Sequence, residues 1–261
     1  MRMAMISAML LFSVGCAEAR LTAPAIESVS ASPRPDAQLP LALTLKDEAG
    51  TSRTLEGAIA HTPSILILAD YACQALCGPI LSLAAGALER SGLQAGRDYR
   101  LVVVGLDPRR GPREAKAMKA AQIGESGQLV EASSFLSADA VTLQRLATAL
   151  GYRSMYDEEN DQFAHPAVVF VLTAEGRIAR TLSALGVSPE DLRLALVEAG
   201  QGRIGSTADA IRLLCYGFDP ASGHYTPFIH LLLTLGWLLM AIGLGGGIGV
   251  MVLTRRRASA P

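Results

Sequence analysis

Three short apolar runs set the frame of the chain: Ser64–Ala69, Arg100–Leu106 and Ala167–Leu172. Each has the length and continuity of a strand buried on both faces. Leu41–Leu45, with Gly50 in the turn that follows, predicts a hairpin arm. Thr173-Ala174-Glu175-Gly176 predicts a hairpin turn from the third run into Arg177–Leu182. Between the strands the spacing becomes helical. Ile80–Glu89 reads as one helix, and Pro112 opens another that runs to about Gln122. Ala138–Leu150 is amphipathic and closed by Gly151. Ser188–Ala199 has Ser188 as its N-cap, Pro189 in its first turn and acidic residues beside it. Strand, helix, strand, helix, hairpin, helix is an α/β plan with a mixed sheet.

The ends depart from globular patterning. Met1–Gly15 has one early positive charge, Arg2, followed by the apolar run Ala8–Val14, and predicts a secretory signal. The run is too short to span a bilayer. Ala17-Glu18-Ala19 offers a small–x–small cleavage site, and Gly15-Cys16 offers the end of a lipoprotein signal in which Cys16 would be lipidated. Ser13, where a lipoprotein signal prefers a large aliphatic residue, favours simple cleavage. At the other end, Phe228–Leu253 contains no formally charged residue and Arg255-Arg256-Arg257 follows. That length suffices for a transmembrane helix, and the arginines place the C-terminus in the cytoplasm. Trp237 lies well inside the span, which predicts a packed residue. Gly243 and Gly247 have helix-pairing spacing, a weak pointer to a homodimer.

The expected organisation is therefore a signal peptide (1–19), a linker (20–40), one α/β domain (41–205), a juxtamembrane segment (206–227), a transmembrane helix (228–253) and a cytoplasmic basic tail (254–261). The domain would face the periplasm from the bacterial inner membrane. A formal net charge of −1 and few aromatics argue against nucleic-acid binding. No hydrolase or phosphate-loop motif occurs. The acidic run Asp157, Glu158, Glu159 and Asp161 reads as a solvated loop.

The candidate chemistry lies in Tyr71-Ala72-Cys73-Gln74-Ala75-Leu76-Cys77-Gly78-Pro79. A dithiol between the first core strand and its helix matches the thioredoxin plan. Cys77 is expected near the helix start, where amides and the helix dipole lower a thiol pKa, with Cys73 in the preceding loop. Three intervening residues make a loop wide enough to present both sulfurs to one ion. Thiolates are soft ligands that suit Cu(I), although zinc accepts them too. A third ligand is needed, and His165, just before the strand Ala167–Leu172, is expected to face the dithiol. His61 reads as a surface residue, and His224 and His230 flank the membrane entry. Cys215 reads as an inert buried thiol. Pro166 could take the place of the proline that thioredoxins set in cis opposite their dithiol. Arg109, Arg110 and Arg113 are too distant in sequence to support a peroxidase reading.

The cysteine pair, Leu106-Asp107-Pro108, His165 before a strand, Thr173–Gly176, and the tail Leu214–Tyr225 ahead of a membrane helix resemble the Sco/SenC family. The resemblance covers roughly residues 38–255 and is closest to a bacterial branch anchored at the C-terminus. It implies a thioredoxin-like mixed sheet flanked by helices and copper, Cu(I) or Cu(II), held by Cys73, Cys77 and His165. Asp107 matches an acidic position near the site. The implied function is a metallochaperone that passes copper to a respiratory oxidase subunit or another copper acceptor. One departure stands out: Gln74 and Gly78 occupy positions where the family has proline, and Pro79 is displaced by one. A looser loop would alter metal pre-organisation or redox poise. A thiol–disulfide oxidoreductase is the alternative, and a binding module with a structural disulfide is the third reading.

Overall fold

The computed structural model describes residues 29–34, 37–73, 77–158, 161–201, 216–219, 222–227, 234 and 236–247. The expected signal peptide, Cys16, Cys215, His230 and the basic tail lie outside them.

The central sheet has five strands in the order β11-β10-β4-β5-β6. These are β4 (Ser64–Ala69), β5 (Arg100–Gly105), β6 (Ser133–Leu136), β10 (Val168–Leu172) and β11 (Ile178–Ser183). The first three run parallel, while β10 runs antiparallel to both β4 and β11. Strand β4 is apolar at nearly every position because alternate side chains enter different cores. Ile65 and Ile67 join Leu101, Val103, Phe135, Val169 and Val171 on one face. Leu66 and Leu68 join Val102, Val104, Phe170 and Leu172 on the other. A strand covered on both sides shows no polar alternation.

Helices cover the two faces. On the first lie α2 (Cys77–Arg90) and α6 (Pro189–Ala199), with α3 (Pro112–Ile123) supplying Ala115 and Met118. On the second lie α1 (Leu55–Ile59) and α5 (Ala140–Ala149). Helix α4 (Gln128–Glu131) is a single turn leading into β6. The caps follow the sequence closely. Ser188 accepts from Asp191 N while Asp191 reaches back, and Asp139 accepts from Thr142 N.

The remaining strands form two-stranded pairs: β2 (Thr44–Lys46) with β3 (Ser52–Thr54), β8 (Met155–Asp157) with β9 (Gln162–Ala164), and β12 (Tyr216–Asp219) with β13 (His224–Pro227). Strand β1 (Ser30–Ala31) pairs with β7 (Tyr152–Arg153). This corrects the linker expectation, because part of 20–40 belongs to the domain. Leu39 is buried, and Gln38 bridges to Arg177 and donates to the Glu175 carbonyl. The small and proline-rich composition there reads as linker, yet Ala31, Ala37 and Leu39 pack where the second core needs cover.

Within the expected membrane span, residues 236–247 are helical. Trp237, Leu238, Leu239, Met240, Ile242 and Leu244 are all exposed on that helix. Among the described residues no helix is long and apolar enough to cross a membrane. Apart from Thr234, the rest of 228–253 lies outside the described residues.

Candidate functional site

The predicted residues come together at the carboxyl end of β4. Helix α2 begins at Cys77 itself, three residues earlier than the pattern suggested, so this cysteine is in the first helical turn. Cys73 sits in the loop after β4 and is half-buried, whereas Cys77 is buried, and no disulfide joins the two. His165 follows β9 and precedes β10. Its Nε2 lies 3.1 Å from Cys77 Sγ. Cys73 lies close enough to Cys77 to push the Cys77 thiol pKa up. The contacts thus run Cys73–Cys77–His165. Among the described residues no three His, Cys, Asp or Glu side chains are already grouped closely enough to hold a metal ion.

Two groups lie against the Nδ1 side of the His165 ring. Nδ1 lies 3.2 Å from the Pro166 carbonyl, which can only accept. With its proton on Nδ1, donated to that carbonyl, the ring presents the Nε2 lone pair to Cys77. Tyr152, on β7, lies 2.9 Å from the same Nδ1 and donates its hydroxyl to Pro166 O at 3.2 Å. This arrangement of a backbone carbonyl and a hydroxyl behind an imidazole is how a ligating histidine is oriented. The donor set, two thiols and a neutral imidazole, is of the soft type that suits Cu(I).

Electrostatics correct one expectation. Cys77 was expected to have a lowered pKa from the helix start. Instead burial, reinforced by the hydrogen bond and charge of Cys73, pushes it well up. A desolvated thiolate beside a second sulfur loses more than the helix amides return. Burial also lowers the His165 pKa below its ordinary value of 6.5, outweighing the Pro166 carbonyl and Asp70, which act in the opposite direction.

Both shifts predict a pH dependence of stability for the metal-free protein. Below pH 6.5 the unfolded state protonates His165 while the fold resists, so stability falls as pH drops through that value. Above the ordinary thiol value of 9.0 the unfolded state loses the Cys77 proton and the fold retains it, so stability falls again. Urea unfolding across pH 5–10 should show both limbs. His165→Asn should flatten the acidic limb and Cys77→Ser the alkaline one.

Asp107 is buried, but its partners are not the cysteines. Burial pushes its carboxyl up, yet hydrogen bonds from Arg109 and the charges of Arg109 and Arg110 hold it below the usual range. Arg109 and Arg110 also bind Asp161, which accepts from Tyr156 at 2.6 Å. Part of the acidic run is therefore latched, since Asp161 ties the β8–β9 hairpin, which leads into His165, to the β5 loop. No cis peptide occurs among the described residues, so Pro166 does not reproduce the cis-proline expected opposite the dithiol. His61 is exposed beside Glu56, as expected, and His224 bonds the Ser222 carbonyl.

Gly78 also has a structural reason. A Cβ there would lie 2.8 Å from Gln122 Nε2, and Gln122 is held by Ser82 at 2.7 Å. The end of α3 thus presses on the first turn of α2 where the Sco/SenC pattern would place a proline. Sequence reasoning missed this contact, and it missed Tyr152 and Asp70. Asp70 carried a signal, an acidic residue at the end of an apolar strand three residues before Cys73. Tyr152 carried none.

No known family model and no curated protein sequence matches this chain. Solved structures do. A candidate electron-transport protein from Aquifex aeolicus VF5 is similar at a TM-score of 0.55 and 22% identity, over 64% of this chain and 99% of that one. BsSco, a member of the Sco family of cytochrome c oxidase assembly proteins in which a disulfide switch is identified, is similar at a TM-score of 0.53 and 15% identity, over 65% and 98%. The fold is the thioredoxin-like fold of the Sco proteins. Arabidopsis thaliana ScoI, solved with copper bound, is similar at a TM-score of 0.50 and 16% identity, over 61% of this chain and 96% of that one. In this Sco-type fold, Cys73 and Cys77 occupy the loop and helix start after the first core strand, and His165 precedes the antiparallel strand beside it.

Proposed function

We propose that this chain is a copper-handling protein of the bacterial cell envelope. Reduced Cys73 and Cys77 with His165 hold one copper ion and pass it by ligand exchange to a respiratory oxidase subunit or another copper acceptor. The observation that carries this reading is the 3.1 Å approach of His165 Nε2 to Cys77 Sγ. A structural disulfide needs no such imidazole. The copper bound in Arabidopsis ScoI and the oxidase-assembly role stated for BsSco support the same reading. The domain would be held on the periplasmic side of the inner membrane by 228–253, after removal of 1–19, with the basic tail in the cytoplasm. Pairing through Gly243 and Gly247 would give a homodimer.

The test is copper stoichiometry of the reduced full chain in detergent. One tightly bound Cu(I) per chain is expected, lost in Cys73→Ala and in Cys77→Ala. Because the ion must displace a firmly held thiol proton, affinity should rise with pH by about tenfold per unit for each proton released. Metal titrations at pH 6, 7 and 8 measure this slope, and a flat profile would contradict a thiol-ligated site.

A second reading, thiol–disulfide exchange, is favoured by one observation: Cys73 is more accessible than Cys77, as expected of an attacking and a resolving thiol. It predicts no tight copper binding and a mixed disulfide trapped on Cys73 in a Cys77→Ser variant.

A further inference from the structure

We propose that Asp70 is a positioning residue that sets the distance between the cysteine loop and His165. The inference rests on the copper reading above and names a residue outside the ligand set. Asp70 follows β4 directly and is 1% exposed. One carboxylate oxygen accepts from Ala72 N at 2.9 Å, and its carbonyl accepts from Cys73 N at 3.2 Å. Together these make the turn that delivers Cys73. The other carboxylate oxygen accepts from Phe163 N at 2.9 Å, two residues before His165 and 93 residues away in sequence.

A turn-forming aspartate needs only the first of these oxygens. The second reaches β9, which among the described residues pairs with β8 and with no strand of the central sheet. Asp70 therefore ties the segment bearing one candidate ligand to the loop bearing another. Burying a carboxyl group is costly unless its oxygens are satisfied, and here both accept a backbone N–H. An amide could not replace it. Asparagine has one acceptor oxygen, so one of the two N–H groups would face a donor.

The experiment is a double-mutant cycle on the reduced full chain in detergent, with Cu(I) affinity read by competition with a chromophoric chelator. Asp70→Asn should weaken binding about tenfold or more, the range for residues that orient metal ligands. In a His165→Ala background the same change should cost several-fold less than in the wild type, because only its effect on the Cys73 turn remains. In the metal-free protein, hydrogen exchange across 162–164 should accelerate and the His165 ring-nitrogen resonances should move. Asp70→Ser keeps an acceptor for Ala72 but cannot reach Phe163, and should reproduce these effects if the asparagine variant folds poorly. An equal loss of affinity with and without His165 would overturn the proposal, as would unchanged affinity and exchange. A wild-type chain that takes up no Cu(I) would overturn the copper reading instead. The exchange and ring-nitrogen measurements would still decide whether Asp70 holds His165.

Discussion

His165→Ala is expected to weaken Cu(I) binding to the reduced protein by more than about a hundredfold, while leaving both thiols titratable and the fold intact. Residues that merely orient metal ligands cost ten- to a hundredfold when removed, so loss of a ligand should cost more. The imidazole is half-buried, and Nε2 already faces Cys77 at 3.1 Å. Removing it leaves two thiols and takes away the imidazole donor that faces them. Chelator competition measures the loss directly. Unchanged affinity would remove His165 from the ligand set. It would also shift the balance toward thiol–disulfide exchange, in which the histidine only tunes the cysteines. Tyr152→Phe should have a smaller effect of the same sign, because the Pro166 carbonyl still lies 3.2 Å from Nδ1 and helps to orient the ring.

Gly151→Ala is expected to lower stability by at least about 2 kcal/mol, since a left-handed non-glycine residue already costs about 1–2 kcal/mol and a clash adds to it. Gly151 has φ +57°. A Cβ on it would lie 2.2 Å from Ser32 O and 2.5 Å from Ser32 C, backbone atoms that no side-chain rotation can clear. The Ser32 N–H donates to the Gly151 carbonyl at 2.9 Å, and β1 pairs with β7 next to it. Relief would require β1 to separate from β7, which carries Tyr152. Differential scanning calorimetry should show Tm falling by about 4–8 °C for a domain of this size. The His165 ring resonances should move as well, because Tyr152 supports that ring. A variant with wild-type Tm would mean that the β1–β7 pairing contributes little to the fold.

The position of His165 was legible because an apolar run of strand length follows it and the thioredoxin plan sets that strand beside the dithiol. Strand β4 and helix α3 were legible to within a residue because continuous burial and a proline start leave few alternatives. Strand β6 was missed. Ser133-Ser134-Phe135-Leu136 has two hydroxyl residues in four, and it is a strand because β5 offers it a parallel edge. The β8–β9 hairpin was missed for a related reason. Its acidic turn reads as solvated loop until Arg109 and Arg110, some fifty residues away in sequence, arrive to bind Asp161.

By itself the sequence determined the order of the core elements, the dithiol at the start of its helix, and the histidine ahead of the antiparallel strand. These follow from local periodicity and from residue types at fixed offsets. Tertiary structure decided the ionisation of the site and its second layer. Burial, which no local window reports, keeps Cys77 protonated and His165 neutral. Asp70, Tyr152 and Gln122 act through atoms of residues distant along the chain, so their roles exist only once the sheet has brought those segments together.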